Sequence, residues 1–166
     1  MPNPPSPPKL KKLEFDGPKS IEEIEKIGRK IVCDTFALVD RCGDPIPFCK
    51  TKDGVWSYFR SISSKLITED EDHEGRKISP SRIRRLHWII PVITQKTLEV
   101  VRYNEFLGMN INSRCVPNWT YRIYFLPSQM YTVWLYYPPG KKSLNLTSAY
   151  RIDRDDTRRL FDRLFP

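Results

Sequence analysis

An α+β domain is the fold class this sequence predicts, and three observations predict it. Apolar residues recur at helical spacing through residues 18–95, four segments rich in β-branched and aromatic residues follow within 96–152, and a short amphipathic stretch closes the chain. Helices first and strands afterwards is the order in which helices segregate onto an antiparallel sheet. With 166 residues, 39% of them apolar and 29% charged, the chain suits one domain over 18–166. Before it, residues 1–17 carry five prolines and three lysines and read as a disordered, polyproline-like arm.

Each element has a local reason. Ser20 and Glu23 form a capping box, and Ile21, Ile24, Ile31, Leu38 and Val39 continue one helical stripe until Gly43 stops it. Val55, Phe59, Ile62 and Leu66 mark a second helix from about Asp53. Residues 69–74 hold five acids in six positions, which predicts a solvated loop with His73 as a bystander. A third helix takes Ser79 or Ser81 as its cap and Pro80 early, shows Ile83, Leu86 and Ile90 on one face, and should stop or kink at Pro91. Strands are expected at Leu98–Asn104, Thr120–Leu126, Met130–Tyr137 and Ser143–Ile152, with turns at 127–129 and 138–140 short enough for hairpins. A closing helix, Arg154–Phe165, buries Leu160, Phe161 and Leu164.

Several function classes are disfavoured at once. The sequence has no apolar run of membrane-spanning length, and Met1–Leu10 lacks the apolar core of a secretory signal, so an intracellular, cytoplasmic protein without a membrane partner is expected. Cys33, Cys42, Cys49 and Cys115 form no close pair, which argues against structural zinc. Clustered carboxylates for two-metal phosphodiester cleavage are missing from the basic segment, and no nucleotide-binding or hydrolase motif is found. No metal and no cofactor are expected.

The net charge of +8 is unevenly spread. Residues 76–152 carry 12 Lys and Arg against Glu99 and Glu105, so this half holds +10 and the remainder −2. From Phe106 to Ile152, 47 residues, there is no acid at all. Such a concentration of cations attracts phosphate backbones. Alternation then divides each strand into two faces. Arg122 and Tyr124 fall on the polar list of the second strand; Thr132, Trp134 and Tyr136 on that of the third; Asn145, Thr147 and Arg151 on that of the fourth. If these lists share one face, cations stand beside rings on which bases stack. Lys141 and Lys142 lie at its margin, and Arg82, Arg84 and Arg85 flank it from the third helix. Mid-strand Arg122 and Arg151 need partners, and their own segment offers no carboxylate. His87, amid the helix arginines, is the natural acid–base group, its proton affinity lowered by those cations.

The run Arg82-Ile83-Arg84-Arg85-Leu86-His87-Trp88-Ile89-Ile90-Pro91, followed by strands ending in Leu146-Thr147-Ser148-Ala149-Tyr150-Arg151, resembles the phage-associated members of the barnase–EndoU–colicin E5/D–RelE nuclease superfamily. The resemblance covers residues 79–152. It implies a helix packed on a four-stranded antiparallel sheet and metal-independent RNA cleavage through the 2′-hydroxyl. Catalytic positions carried over are His87, Arg122, Thr147 and Arg151, with no glutamate expected on the sheet to serve as the base that barnase uses. A toxin-like or phage-derived ribonuclease, RNA ranking ahead of DNA as ligand and an inhibitor or antitoxin as a further partner, is therefore the leading expectation. Its rivals are a non-catalytic RNA- or DNA-binding module and an interaction protein whose basic face meets an acidic protein.

Overall fold

The computed structural model describes residues 10–17, 19–35, 38–46, 66–71, 75–141 and 144–166. Helix α1 spans Ile21–Thr35. Its capping box forms as the sequence requires: Glu23 N donates to Ser20 Oγ (3.2 Å), and Ser20 N to Glu23 Oε2 (3.4 Å). The helix ends earlier than the apolar spacing suggests. Leu38–Val39 is instead a short strand, β1, paired with β2 at Pro45–Ile46. The second predicted helix lies mostly outside the described residues, although Leu66 and Ile67 at its end are fully buried.

The first half of the acidic run, residues 69–71, is strand rather than loop, and residues 72–74, His73 among them, lie outside the described residues. Strand β3, Thr68–Glu71, pairs with β4, Gly75–Ile78, in a register that sets Glu69 opposite Lys77 and Asp70 opposite Arg76.

Helix α2, Pro80–Ile83, starts where expected, with Ser79 Oγ accepting from Arg82 N. A 3₁₀ turn, Leu86–Trp88, leads into α3, Ile89–Thr94. Pro91 was expected to end the helical run, yet α3 contains it. It occupies the third position of α3, inside the first turn, where a missing N–H leaves no ladder bond broken. The helix ends instead at Gln95, which adopts φ 56° and donates its N–H to Val92 O. Helices α1 and α2 approach closely at Gly28, where an added Cβ would lie 2.9 Å from Ile83 Cγ1.

Strands β5 (Arg102–Leu107), β6 (Thr120–Leu126), β7 (Tyr131–Tyr137) and β8 (Asn145–Arg151) make one antiparallel sheet in sequence order. The fold is thus α+β, and β6 has the boundaries predicted. β5 begins later than predicted because Thr97 Oγ1 accepts from Glu99 N, turning the chain before the sheet. Helix α4, Asp155–Leu164, closes the chain.

Both faces of the sheet are covered. On the helical face, Tyr124, Leu126, Tyr131, Val133, Leu135, Leu146 and Ala149 join Ile83, Leu86, Trp88, Ile89, Val92 and Ile93 in one core. On the opposite face, Tyr121, Ile123, Phe125 and Trp134 pack with Phe161, Leu164 and Phe165. Residues 10–17, expected to belong to a free arm, are held on the helical side. Leu13 N donates to Arg84 O (2.8 Å), and Leu10 and Phe15 pack on the core. Apolar anchors among the lysines make the difference; the proline-rich residues 1–9 lie outside the described region.

Candidate nucleic-acid interface

The expected shared polar face does not exist, and the pairing register is the reason. Arg122 stands opposite Leu135, Ile123 opposite Trp134, and Tyr124 opposite Val133. Arg122 and Tyr124 therefore face the helices, while Trp134 and Tyr136 face α4. Within β8, Ser148 pairs with Trp134 but Leu146 with Leu135, so Thr147 is the extra residue of a β-bulge. Simple alternation fails there.

Arg122 is not an outward cation. Only 8% of its side chain is exposed, and three carboxylates hold it: Asp40 at 2.6 Å, Asp44 at 2.7 Å and Glu105 at 2.6 Å. Two of these come from the β1–β2 turn, far away in sequence. The third, Glu105, lies on β5, so the sheet does carry a glutamate, and it is engaged by Arg122 and by the Tyr137 hydroxyl (3.0 Å). The Tyr124 hydroxyl donates to Asp40 Oδ2 (2.6 Å), and Asp40 Oδ1 accepts from the backbone of Cys42 and Asp44. Burial works against Asp40 as an anion, but these bonds and the Arg122 charge outweigh it and lower its pKa. Burial likewise opposes the Arg122 charge, and the same three carboxylates more than reverse that, raising its pKa. Tyr124 is fully buried beneath Tyr103, which stacks on it at 5.4 Å, and offers no surface for a base.

His87 is engaged elsewhere as well. Its Nε2 lies 2.6 Å from the carbonyl of Lys11, and Trp88 Nε1 donates to the same oxygen (2.9 Å). A carbonyl only accepts, so Nε2 carries the hydrogen and faces the N-terminal segment rather than a ligand. Its Nδ1 is buried without a partner. Arg84 covers Phe15 of the same segment, 4.5 Å from its ring centre.

Most of the remaining predicted residues gather about β8, the edge strand opposite β5 among the described residues. Arg85 is buried and donates to Ser81 O and Oγ (both 2.8 Å). Burial lowers its pKa first, and the neighbouring charge of exposed Arg151 lowers it further. Arg82 places its guanidinium 5.3 Å from the ring centre of Tyr150, the residue before Arg151. The Tyr150 phenol has its pKa raised by burial, against which both Arg82 and Arg114 pull downward. Arg114 approaches from the loop after β5, so arginines from three parts of the chain meet around Tyr150 and Arg151. Lys141 is exposed at the β7–β8 turn, and Lys142 lies outside the described residues. Tyr136 is stacked on Trp119 at 4.6 Å.

Beside this edge, between the sheet, the 111–115 loop and α4, lies a cavity of about 700 Å³. Thr147, Ser148 and Tyr150 line it from β8, Trp134 and Tyr121 from the sheet floor, and Arg114, Arg159 and Arg163 from its rim. Asp156 is the one carboxylate of the lining, its pKa lowered by the Thr157 N–H and by nearby Arg154. Arg163 donates to the carbonyls of Asn110 (3.2 Å) and Ile111 and so ties the loop to α4. Arg114 and Arg159 make no carboxylate contact among the described residues. Of the four residues expected to be catalytic, Thr147 alone lines this cavity; His87 and Arg122 stand on the sheet's other side, and Arg151 ends the edge strand.

Sequence reasoning passed over Arg114, Arg159, Arg163 and Tyr150. A signal was available: Arg159 and Arg163 recur four residues apart and so share one face of α4. Among the described residues, no cluster of His, Cys, Asp and Glu could hold a metal ion, and no helix is long and apolar enough to cross a membrane. No protein-family model, curated protein or solved structure matches the chain.

Proposed function

We propose that the β8 edge binds the phosphate backbone of a nucleic acid, with single-stranded RNA as the first ligand to test. One observation carries this reading: Arg82 lies over the Tyr150 ring, Arg114 acts on the same phenol from the loop after β5, and the next residue, Arg151, stands exposed beside buried Arg85. Exposed Arg114 and Arg151 bring like charges to this surface, which counter-charge stabilises, as Asp153 does for Arg85. A phosphate chain running past the edge supplies that counter-charge and releases its own bound cations. Tyr150, with Arg82 over its ring, gives a base an aromatic neighbour.

The cleavage chemistry implied by the nuclease resemblance needs an acid–base group and a cation at one phosphate. His87 and Arg122 are each bonded elsewhere, on the far side of the sheet from Thr147, so binding is the reading carried forward. Its test is retention of a single-stranded RNA across a salt series in EDTA, beside a 2′-deoxy copy and an Arg82→Ala/Arg151→Ala variant. Salt-sensitive retention, weakened in the variant, supports it. Retention unchanged in the variant overturns it, and so does failure to bind at low salt, which leaves an acidic protein as the ligand. Cleavage of the RNA alone, in EDTA, would restore the ribonuclease in place of the passive module.

A further inference from the structure

We propose that the cavity between β8 and α4 seats a single nucleotide, with its phosphate at Arg114 and Arg159 and its base over the Trp134–Tyr150 floor. The inference extends the nucleic-acid reading above, since the nucleotide is either free or the end of a bound strand. Four features of the cavity support it.

Size comes first. About 700 Å³ falls within the roughly 300–1,000 Å³ of sites that enclose small organic ligands. The lining is divided, with Ile111, Leu160 and aromatic rings deep and cations at the mouth. A ligand matching it is planar and apolar at one end and anionic at the other. The rim holds three guanidinium groups against the Asp156 carboxylate, leaving two positive charges in excess. Arg163 is committed to loop carbonyls, so Arg114 and Arg159 are the pair left for a phosphate.

The floor adds a reason for a polar ring. Trp134 is 7% exposed, and its Nε1 is buried with no hydrogen-bond partner. An orphaned indole N–H is uncommon, because it forfeits a bond it would make in water. Tyr150 lines the same cavity, and its hydroxyl can both accept and donate. A nucleotide on this floor would order that hydroxyl, its oxygen accepting from the indole N–H and its hydrogen donated to a base acceptor. Ligand binding and satisfaction of Trp134 are then one event. Thr147 and Ser148, exposed to the cavity by the β-bulge, supply the hydroxyls that meet the sugar. The bulge is what turns both towards the cavity.

The test is titration of the whole protein with adenosine 5′-monophosphate and, separately, with a 5′-phosphorylated RNA octamer. The indole N–H resonance of Trp134, identified by its loss in Trp134→Phe, reports the site. Expected is a shift of that resonance with at least one ligand, and affinity about tenfold weaker in Arg114→Ala/Arg159→Ala, whose exposed side chains are removable without touching the core. A shift with the mononucleotide assigns a free nucleotide; a shift with the octamer alone assigns a strand end. An unmoved resonance with both ligands overturns the proposal, and so does an unchanged affinity in the double arginine variant. The Arg82→Ala/Arg151→Ala protein separates the two readings. If it loses the octamer but still shifts Trp134 with the mononucleotide, the cavity is a nucleotide site independent of the edge.

Discussion

Arg122 and Arg151 sit in strands of the same sheet, and their surroundings are opposite. Arg122 is buried and met by three carboxylates, two of them from a turn about eighty residues earlier. Arg151 is exposed at the far edge, where its charge acts on buried Arg85. The first arginine works inward, pinning the β1–β2 turn to the sheet. The second makes no carboxylate contact among the described residues and faces solvent. Counting cations along the chain treats the two alike; only the partner geometry separates a structural guanidinium from one left for a ligand.

The contrast is broken most directly at Arg122. Arg122→Ala leaves Asp40, whose side chain has no solvent exposure, as an unmatched buried anion. Removing one partner of a buried pair costs about 3–5 kcal/mol, to be read from the midpoint of urea unfolding. A loss below about 1 kcal/mol, the scale of an exposed pair, would show that the carboxylates do not need it. Tyr124→Phe removes one charge-assisted bond to the same carboxylate and should cost about 1.5–3 kcal/mol.

Acid should act through the same cluster. Asp40 has a lower pKa folded than its ordinary value, so its contribution is complete above about pH 4 and disappears as pH falls through the folded value. Arg122, with its pKa raised, stays charged throughout that window. Unfolding followed by circular dichroism from pH 5 to pH 2 should therefore show a stability loss that Asp40→Asn, already lacking the anion, does not share. Equal slopes for the two proteins would remove Asp40 from the account.

At the other edge, stability and binding should part company. Arg151→Ala alters an exposed side chain and should move unfolding by no more than about 0.5 kcal/mol. For single-stranded RNA the salt dependence of log K should flatten by about 0.7 for each phosphate contact removed. An Arg151→Ala protein with an unchanged salt slope would place the strand elsewhere.

How much of this was legible depends on where the determining contact lies in the sequence. The Ser20–Glu23 box, the Ser79 cap and the span of β6 could be read because each is decided within a few residues. The pairing of Arg122 with Asp40 and Asp44 could not, because nothing local to either segment announces the other. The faces failed for a further reason. Alternation tells core from surface when one side of a sheet meets water, but here Tyr124 is buried against the helices, and Phe125 against α4. With both sides filled, either list of a strand could be the inner one, and the register between strands had to decide. At Thr147 even the alternation breaks, since a bulge shifts every residue after it.

A local effect is expected at His87, and it sharpens the comparison from the helical side. Among the described residues its side chain bonds to the Lys11 carbonyl, which Trp88 Nε1 also reaches, so its removal leaves that oxygen satisfied. His87→Ala should therefore cost about 0.5–1.5 kcal/mol, the net worth of one neutral hydrogen bond, and leave RNA affinity as it was. The loss should be local: amide hydrogen exchange should quicken at Leu13, whose N–H is held by Arg84 O in the same docked segment. An RNA affinity that fell with His87→Ala, while exchange at Leu13 stayed slow, would place the histidine at the ligand. It would then belong with Arg151 rather than with Arg122.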